Sequence, residues 1–454
     1  MSYSHGHPAQ GPAANPKQPN SYSVNGATAA HITHQEIQPS NDMSEMSLRV
    51  IAKAYRSVCV VGLGYVGLPT AFMFCLGGYS VFGVDTRAAT IEMVEKGLVA
   101  DIYPELAVWW HKIKGAPEKQ FSVGQKPSPA DVFLITVPTP IHNDKTCNLS
   151  MVDGALRSIL PVLTPNNLIV LESTVPPGTT EKHIKQVIEK ETSFTVGKDI
   201  FVCFSPERVL PGNTIEELLN NDRLVGGITK PCGFIGHQFL SSVLKGKVHR
   251  TTATTAEFCK LAENTYRDVN IALANEFSLL AEDYGIDIHH ARGLVNLHPR
   301  VNLHQPGIGV GGHCIAVDPW FFTETTPEKS KLIKTARLIN DSMPEHTVRK
   351  IFADVADIAS PKICLAGMTY KPNVGDTRES PAKAIYDLLK EKGCNVVAYD
   401  PLVSLYNLNG GLLEAVKESD YLAILVRHKA IEQSLTEQQS EITAAMRTPR
   451  IRVF

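Results

Sequence analysis

A lone cysteine follows a run of glycines between residues 306 and 321, in the sequence PGIGVGGHCIAVDPWF. Glycine lets the backbone adopt a positive φ or approach another group closely, so the spacing predicts that Cys314 is presented on a sharp turn. Asp318 follows four residues later. A thiol presented in this way can act as a nucleophile. A buried structural cysteine behaves instead as a small apolar side chain, and this stretch leaves both interpretations open.

A second group of candidate residues lies on a long helix-forming segment, residues 251–283. The segment is apolar on too many sides for a surface helix, so we expect it to join two domains and to pack against a partner chain. Lys260 and Asn264 are one turn apart and face the same way. Because their neighbours are apolar, we interpret them as a polar pair directed into a cleft; an ordinary surface lysine is the alternative.

The first ordered segment, residues 57–85, reads as strand, tight turn, helix and strand. Its second strand ends in Asp85, where a carboxylate binds the ribose hydroxyls and repels a 2′-phosphate, which favours NAD over NADP. Arg87 lies either along the adenine or in solvent. The turn has the spacing G-x-G-x-x-G, which brings a pyrophosphate to helix N–H groups and lets helix and strand pack closely. The turn residues that we assign to the NAD site are Gly62, Gly64, Tyr65, Val66 and Gly67.

Three later strands each run into polar residues. Ligands of an open parallel sheet lie beyond the carboxyl ends of its strands, so these residues are expected to share one rim. For Thr139 and Ser173, capping of the next helix is an equal alternative to ligand contact. Glu207 follows Pro206 without a clear helix start, which favours a functional role. The strands at residues 131–137, 167–171 and 200–204 lead respectively to Thr139, to Ser173 and Thr174, and to Glu207.

A further strand–turn–helix–strand pattern begins near Pro361 and weakly repeats the first. Only Gly367 remains of the glycine spacing, so this half is not expected to hold a dinucleotide in the usual way. Lys371 and Arg378 lie in an inserted loop and are candidates to face a diphosphate. Arg300 lies in a loop-like stretch, where it is either a clamp for an anion or a surface charge.

Composition excludes several functional classes. The net charge of −2 over 454 residues provides no basic field for nucleic acid or an anionic membrane. The nine cysteines are scattered without paired C-x-x-C spacing, which indicates reduced thiols in the cytoplasm rather than a disulfide framework or a zinc site. No apolar run is long enough to span a bilayer, and the first residues lack the features of a signal peptide. We expect no metal, because the histidines that precede Cys314 lack metal-ligand spacing.

The first 50 residues are rich in Ser, Asn, Pro, Gln, Gly and His and poor in apolar side chains. They are expected to form a disordered tail, with order beginning near Arg56. Its histidines fit a solvated tail better than a metal site. These histidines are His5, His7, His31 and His34.

Seven separated motifs carry a resemblance to a known family: VVGLGYVGLP, VPTP, ESTVPPGTT, FSPERVLPG, KLAENTYRDVNIALANE, GVGGHCIAVDPWF and YKPNVGDTRESP. From about Ser57 to its C-terminus the chain resembles the UDP-glucose/GDP-mannose dehydrogenases. The cysteine stretch is most similar to the UDP-N-acetylmannosamine 6-dehydrogenase branch, and UDP-N-acetylglucosamine 6-dehydrogenases are close behind.

The resemblance implies an α/β fold in three parts. An N-terminal Rossmann domain at residues 56–250 would bind NAD. A central helical domain at residues 251–358 would contain the long dimerisation helix and the cysteine loop. A C-terminal Rossmann-like domain at residues 360–454 would bind the UDP-sugar. The resemblance also implies a homodimer or a higher homo-oligomer.

The resemblance implies roles for individual residues as well. Cys314 matches the nucleophile, Arg378 matches a contact that closes over the cofactor, and Arg300 looks like an arginine that reaches the substrate of a neighbouring subunit. The matching catalytic positions are Cys314, Lys260, Asn264, Asp318, Glu207 and Thr174. The matching substrate positions are Glu207, Arg208, Val209, Lys260, Asn264, Arg300, Gly307, Gly311 and Lys371.

The implied reaction oxidises a primary alcohol to a carboxylate with two NAD molecules. The thiol would add to the intermediate aldehyde, and oxidation of the thiohemiacetal would give a thioester that water cleaves. We expect the Lys260 ammonium to lower the pKa of the thiol and, with Asn264, to stabilise the oxyanion. Asp318 or a water that it holds would take the first hydroxyl proton, and Glu207 would guide the hydrolytic water.

Three departures and two other protein classes bear on this interpretation. Pro211 replaces a family glutamate and Val317 replaces a lysine, and both argue against UDP-glucose as the substrate. The sequence stops at RIRVF, so we expect the last edge of the C-terminal domain to be missing or altered. A hydroxyacid dehydrogenase would release one NADH per turnover, and a non-catalytic NAD or nucleotide-sugar sensor would release none.

Overall fold

A buried sheet forms the core of the N-terminal domain, as the unbroken apolar runs predict. The computed structural model describes residues 43–116, 120–209 and 214–454. The sheet consists of β1 (Ser57–Val61), β2 (Ser80–Val84), β3 (Phe121–Gly124), β4 (Val132–Ile135), β5 (Leu168–Leu171), β6 (Phe201–Phe204), β7 (Arg223–Gly227) and β8 (Val248–Thr252). Their order is β3-β2-β1-β4-β5-β6-β7-β8, and among these described strands only β6 and β7 pair in antiparallel fashion.

The strand order reverses at β1, which lies between β2 and β4. In open α/β sheets the crevice at such a reversal binds ligands. Helices pack against the strands. They are α1 (Glu45–Ala54), α2 (Gly67–Leu76), α3 (Ala88–Glu95), α4 (Val99–Ile102), α5 (Ala107–Lys114), α6 (Ser150–Ile159), α7 (Lys185–Glu191), α8 (Thr214–Asn220) and α9 (Lys230–Leu240), with 3₁₀ turns at Pro104–Leu106 and Leu160–Val162 and a π-helix at Thr179–Ile184.

Order begins earlier than the sequence predicts, because α1 precedes the first strand. The hydroxyl of Ser44 caps the helix by accepting from the amide of Ser47 at 3.2 Å. Leu48 and Ala52, one turn apart, are buried in contact with α9. The helix was not predicted because these two buried residues lie in a segment of mostly polar composition. Residues 1–42, which include the four tail histidines, lie outside the described part of the chain, as does Pro211.

Two long helices dominate the central region. Its helices are α10 (Ala253–Asp283), α11 (Ile288–Val295), α12 (Asp318–Thr325) and α13 (Lys331–Asp354). α10 runs for 31 residues and begins at Thr252, whose hydroxyl accepts from the amide of Thr255 at 3.2 Å. It packs along α13 and against the last strands of the N-terminal sheet. The predicted helix at 251–283 is therefore present and connects the two halves.

A buried ion pair fixes α10 to α13. Arg337 donates to the Asp268 carboxylate at 2.6 Å, and Asn340 donates to the same oxygen at 2.8 Å. Burial raises the pKa of Asp268, and the Arg337 charge opposes that rise. Asn275 donates to Asn340 at 2.9 Å and accepts from the amide of Gly307 at 2.9 Å. The network thus reaches the glycine run that precedes Cys314.

The C-terminal domain contains a second, smaller parallel sheet. Its strands β9 (Lys362–Ala366), β10 (Asn395–Tyr399), β11 (Tyr421–Ile424) and β12 (Arg450–Val453) have the order β10-β9-β11-β12. Its helices are α14 (Pro381–Glu391), α15 (Gly411–Ala415), α16 (Lys429–Glu437) and α17 (Gln439–Ala445). The predicted α/β class, with two Rossmann-like sheets joined by helices, is confirmed.

The expectation that the last edge of the C-terminal domain is missing or altered is wrong for its edge strand, β12, which is present. β12 pairs with β11 in parallel register, and Arg452 forms an ion pair with Asp354 of α13 at 2.7 Å. A short strand of alternating charged and apolar residues, RIRV, suits a sheet edge that is half exposed.

Replacing Arg337 with Met tests the buried pair. We expect the free energy of unfolding to fall by about 3 kcal/mol, because Asp268 would remain buried without its partner. Chemical denaturation measures this change. The matched control is Arg349→Met, at an exposed pair with Glu345, which should change stability by less than about 1 kcal/mol. Equal losses in both variants would contradict a structural role for the buried pair.

Candidate active site

The turn between β1 and α2 has the geometry of a dinucleotide cradle. Gly62 has a φ of +99°, and a Cβ added to Gly67 would lie 1.8 Å from the carbonyl oxygen of Gly62. Helix and strand therefore approach too closely for any side chain at Gly67. A Cβ added to Gly64 would meet no atom within 4 Å, so the space above the start of α2 is open for a pyrophosphate. Val66, the residue before the helix, carries no capping side chain.

Asp85 stands beside this turn at the end of β2, where it is nearly buried. Its carboxylate accepts from the amide of Leu63 at 3.1 Å and from the amide of Arg87 at 2.8 Å. The Arg87 guanidinium lies 3.4 Å from the same carboxylate and is mostly exposed. Tyr65 shares a hydrogen bond with the hydroxyl of Thr214. The Asp85 carboxylate, as an acceptor for ribose hydroxyls, and the open space beside it fit the adenosine side of NAD.

The residues that follow β4 and β5 have different roles. Ser173 is buried, and its hydroxyl donates to the carbonyl of Val137 at 2.7 Å. This bond ties two strand ends together, which favours a structural role for the hydroxyl. Thr139 and Thr174 are half-buried in the loops at the same strand ends, so both remain candidates for ligand contact.

A buried ion pair connects the N-terminal sheet to α10. The Lys260 ammonium donates to the carbonyl of Glu207 at 2.8 Å and lies 3.1 Å from its carboxylate. The other carboxylate oxygen of Glu207 accepts from the amide of Val209 at 2.8 Å. Burial lowers the pKa of Lys260, but nearby acidic groups, Glu207 first, outweigh it and leave the pKa raised. Burial raises the pKa of Glu207, but Lys260 and the Val209 amide outweigh that effect and leave it lowered.

Asn264, one turn further along α10, meets Asp318 at the start of α12. Its amide donates to the Asp318 carboxylate at 2.6 Å. The backbone amide of Asp318 donates to the carbonyl of Cys314 at 2.8 Å, which fixes the carboxylate relative to the thiol residue. Burial raises the pKa of Asp318 to about 6, and Lys260 and Asn264 oppose the rise. Asp318 is therefore a carboxylate that can exchange a proton near neutral pH.

The Cys314 thiol is half-buried next to this cluster, and its charge state differs from the prediction. Burial, together with Asp318, raises the pKa of the thiol to about 12, and the Lys260 charge only partly opposes that rise. The expectation of a lowered pKa is wrong for this state of the protein. The physical reason is that burial disfavours the thiolate and the Asp318 carboxylate repels it, and together these effects exceed the stabilisation by the Lys260 ammonium.

The glycines before Cys314 let the C-terminal domain contact the thiol turn. A Cβ on Gly311 would lie 2.4 Å from the carbonyl oxygen of Glu379, and one on Gly312 would lie 2.9 Å from the ring of Tyr370. The amide of Gly312 donates to the carbonyl of Arg378 at 3.1 Å. The inserted loop of the C-terminal domain therefore packs directly on the cysteine turn.

The remaining candidate residues are distributed around this centre. Arg208 forms an ion pair with Glu263 of α10 and donates to the carbonyl of Asp222 at 3.1 Å. Arg378 pairs with Asp376, and its charge acts on Cys314. Lys371 is half-buried, and Arg300 is exposed in the loop after α11. The structure thus brings together Cys314, Lys260, Asn264, Asp318 and Glu207, with Arg378 at the edge of the group.

The sequence interpretation missed a buried pair behind Glu207. Arg223, the first residue of β7, lies 3.4 Å from Glu172 and donates to the carbonyl of Pro206 at 3.2 Å. Burial raises the pKa of Glu172 to about 7. Two signals were available in the sequence. Glu172 directly follows the apolar strand β5, and Arg223 is the first residue of β7.

Glu257 is a second residue that the sequence interpretation missed. It lies three residues before Lys260 on α10 and is fully buried. Its carboxylate accepts from the amide of Thr180 at 2.8 Å and from the amide of Gly178. It therefore holds the loop after Thr174 against the helix that carries Lys260. Its spacing from Lys260, which places both on one helix face, was the available signal.

Other site types have no support within the described ranges. No cluster of three or more His, Cys, Asp or Glu side chains in those ranges is arranged to hold a metal ion. Likewise, none of the helices of the described chain combines the length and the apolar character that crossing a membrane requires.

Comparison with known proteins agrees with this geometry. Residues 56–244 match the NAD binding domain of the UDP-glucose/GDP-mannose dehydrogenase family. Residues 254–342 match the central domain of that family, and residues 364–452 match its UDP binding domain.

Individual relatives align over most of their length. A UDP-N-acetyl-D-mannosamine dehydrogenase from Methanococcus vannielii is 41% identical over 404 residues, which cover 87% of this chain and 92% of that protein. A solved UDP-D-ManNAc dehydrogenase from Pyrococcus horikoshii has a TM-score of 0.82 at 36% identity, covering 87% and 94% of the two chains. The UDP-N-acetyl-mannosamine dehydrogenase from Staphylococcus aureus has a TM-score of 0.79 at 41% identity, with the same coverage.

A dinucleotide turn in one domain and a thiol held against a second Rossmann-like domain are the working parts of an NAD-dependent dehydrogenase. NAD is the cofactor of the first domain. Since all three family domains match in order between residues 56 and 452, the chain belongs to the UDP-glucose/GDP-mannose dehydrogenase family, which confirms the resemblance seen in its motifs.

Two glycine substitutions separate packing from cofactor binding. Gly67→Ala should lower both thermal stability and NAD affinity, because its Cβ meets the Gly62 carbonyl. Gly64→Ala should leave stability unchanged and weaken NAD binding roughly tenfold or more, because its methyl group occupies the pyrophosphate space. Thermal unfolding and calorimetric titration with NAD measure the two effects. Wild-type NAD affinity in Gly64→Ala would contradict the assigned position of the pyrophosphate.

Proposed function

We propose that the protein oxidises C6 of a UDP-N-acetylhexosamine, with UDP-N-acetylmannosamine favoured, to the UDP-uronic acid with reduction of two NAD molecules. The observation that carries this proposal is the joint placement of Cys314, Lys260 and Asp318. The Asp318 amide donates to the Cys314 carbonyl at 2.8 Å, and its carboxylate accepts from Asn264, one helical turn after Lys260, at 2.6 Å. The names of the similar proteins support N-acetylmannosamine as the sugar. Val317, in place of a lysine, supports the exclusion of UDP-glucose.

The first half of the reaction needs a base and a hydride acceptor. NAD, held by the glycine turn after β1 and by Asp85, would supply the two-electron hydride acceptor when bound. Asp318, with a pKa near 6, is mostly ionised at neutral pH and takes the hydroxyl proton. Asn264 holds the carboxylate through its 2.6 Å hydrogen bond. The product of this step is the aldehyde.

The thiol then captures the aldehyde. The sulfur of Cys314 bonds to the carbonyl carbon, and the thiol proton passes to the carbonyl oxygen, which gives a thiohemiacetal. Because the resting pKa of the thiol is about 12, the proton leaves during addition and not before it. Lys260 and Asn264 donate to the oxygen on which negative charge develops.

The second half completes the four-electron oxidation. A second NAD at the same turn would supply the acceptor for the hydride of the thiohemiacetal, and loss of the hydroxyl proton would leave a thioester. Water attacks this thioester, the C–S bond breaks, and the thiol regains a proton. Glu207, ionised beside Lys260, orients the water. In total, one alcohol, one water and two NAD give one carboxylate, two NADH and three protons.

The substrate and partner assignments extend this proposal. We assign the residues around the thiol turn and the Glu207 segment to the UDP-sugar. They are Lys371, Arg208, Val209, Gly307 and Gly311. Arg300 is exposed, which suits an arginine that reaches the substrate of a neighbouring subunit.

A homodimer is supported by exposed apolar side chains spaced along one face of α10, namely Phe258, Tyr266, Leu273, Phe277 and Leu280. A cytoplasmic location stays a prediction.

Substitution of the thiol tests the covalent steps. Cys314→Ala should produce no uronic acid from UDP-N-acetylmannosamine, whereas the wild type should release two NADH per uronic acid formed. Cys394→Ala, at a half-buried thiol in the C-terminal domain, is the control and should behave as wild type. NADH absorbance and mass spectrometry of the product give the stoichiometry. Assays on UDP-N-acetylglucosamine and UDP-glucose in parallel identify the sugar, and uronic acid from Cys314→Ala would exclude the thioester.

The raised pKa of Asp318 predicts a pH dependence. Because Asp318 acts as a base, kcat/KM should fall about tenfold per pH unit as the pH drops below about 6. Asp318→Asn should lower kcat/KM by roughly 100-fold and remove this decline. Initial rates of NADH formation between pH 5 and pH 8 measure both effects. An identical acid limb in Asp318→Asn would assign the base to another group.

A further inference from the structure

Asp400, an acidic residue of the C-terminal domain, is hydrogen-bonded to other residues of the same domain. Asp400 follows β10 at the place where Asp85 follows β2 in the first domain. It is fully buried, and its carboxylate accepts from the amide of Met368 at 2.6 Å and lies 3.0 Å from Nε2 of His428. Asp400 differs from Asp85 in being paired with a buried histidine, so its carboxylate is not open to a ribose.

His428 connects this acid to the inserted loop. It is 1% exposed, and its Nδ1 accepts from the backbone amide of Asn373 at 2.9 Å. A backbone amide can only donate, so Nδ1 carries the lone pair and Nε2 carries the proton. The Nε2–H group faces Asp400 and also lies 3.0 Å from the hydroxyl of Thr369. Both ring nitrogens are thus engaged in hydrogen bonds.

The loop from Thr369 to Asn373 is held on both sides of Lys371. The Thr369 hydroxyl donates to the carbonyl of Lys371 at 3.0 Å. The Asn373 side chain accepts from the amide of Lys429 at 2.9 Å, at the start of α16. The Lys371 ammonium itself has no hydrogen-bond or ion-pair partner among residues 43–116, 120–209 and 214–454. The Lys371 ammonium is therefore available to an anionic ligand, on a loop whose backbone is fixed on both sides.

We propose that His428 is a positioning residue for the nucleotide: its bond to the Asn373 amide holds the 369–373 loop so that Lys371 faces the diphosphate of the UDP-sugar. This inference rests on the proposed function, because the diphosphate belongs to the proposed substrate. A loop fixed before binding loses less conformational freedom when the ligand arrives, so the bond contributes to affinity for UDP and not to hydride transfer.

Two substitutions at His428 separate its two contacts. His428→Gln places an amide donor near Asp400 and lacks the acceptor for Asn373. His428→Asn places an acceptor near Asn373 and lacks the contact with Asp400. Calorimetric titration with UDP alone should show about tenfold weaker binding for His428→Gln and a change of less than about threefold for His428→Asn. NAD affinity and kcat at saturating substrate should stay within twofold of wild type, while KM for the UDP-sugar rises in His428→Gln.

A double substitution shows whether the effect passes through Lys371. Adding His428→Gln to Lys371→Met should weaken UDP binding no further than Lys371→Met alone. If His428→Gln does not fold, Thr369→Val, which removes the tie to the Lys371 carbonyl, should show the same loss of UDP affinity. Wild-type UDP affinity in the folded variant, equal weakening in both His428 variants, or additive losses with Lys371→Met would overturn the inference. A wild-type protein that binds UDP but forms no uronic acid would refute only the proposed reaction.

Discussion

The ammonium of Lys260 is the charge on which the candidate site depends. Two carboxyl groups, those of Glu207 and Asp318, lie beside the protonated thiol of Cys314 in a region from which water is largely excluded. Negative charges in such a region repel one another and are poorly solvated, so at least one cation must accompany them. Lys260 bonds to the carbonyl and the carboxylate of Glu207, and its charge acts on the other two groups. Because Lys260 lies on α10, the helix that joins the two domains also carries the positive charge of the candidate site.

The protonated state of the thiol gives the site a defined order of events. A thiolate that existed at rest would be open to oxidants and to other electrophiles. With a pKa near 12, the Cys314 sulfur is almost entirely a thiol at neutral pH. In the proposed reaction the sulfur therefore adds only when an aldehyde carbon lies beside it and the carbonyl oxygen can take the thiol proton. This arrangement is consistent with an enzyme whose nucleophile is needed after, and not before, the first oxidation.

Local patterns predicted the parts of the structure that depend on local geometry. The glycine turn followed by Asp85, the long helix at 253–283 and the second strand pattern were readable, because each is set by neighbours in the sequence. The shared position of Lys260, Asn264, Asp318 and Cys314 followed from matched motifs. The pKa of Cys314 could not be predicted, because it depends on burial by segments that are distant in sequence. The Arg223–Glu172 pair joins residues of two different strands and was missed for the same reason, and α1 was missed because its two buried residues are outnumbered by polar ones.

Gly311 and Gly312 pack against Glu379 and Tyr370, so the cysteine turn is in close contact with the C-terminal domain. Lys260, in contrast, bonds to the segment after β6 and so follows the N-terminal sheet. The cysteine turn is also tied to α10, because Asn264 binds the Asp318 carboxylate and the Asp318 amide donates to the Cys314 carbonyl, so both halves of the molecule hold it. Sequence changes at the Tyr370 or Glu379 positions would accordingly alter the surroundings of the thiol through the glycine turn that these residues pack against.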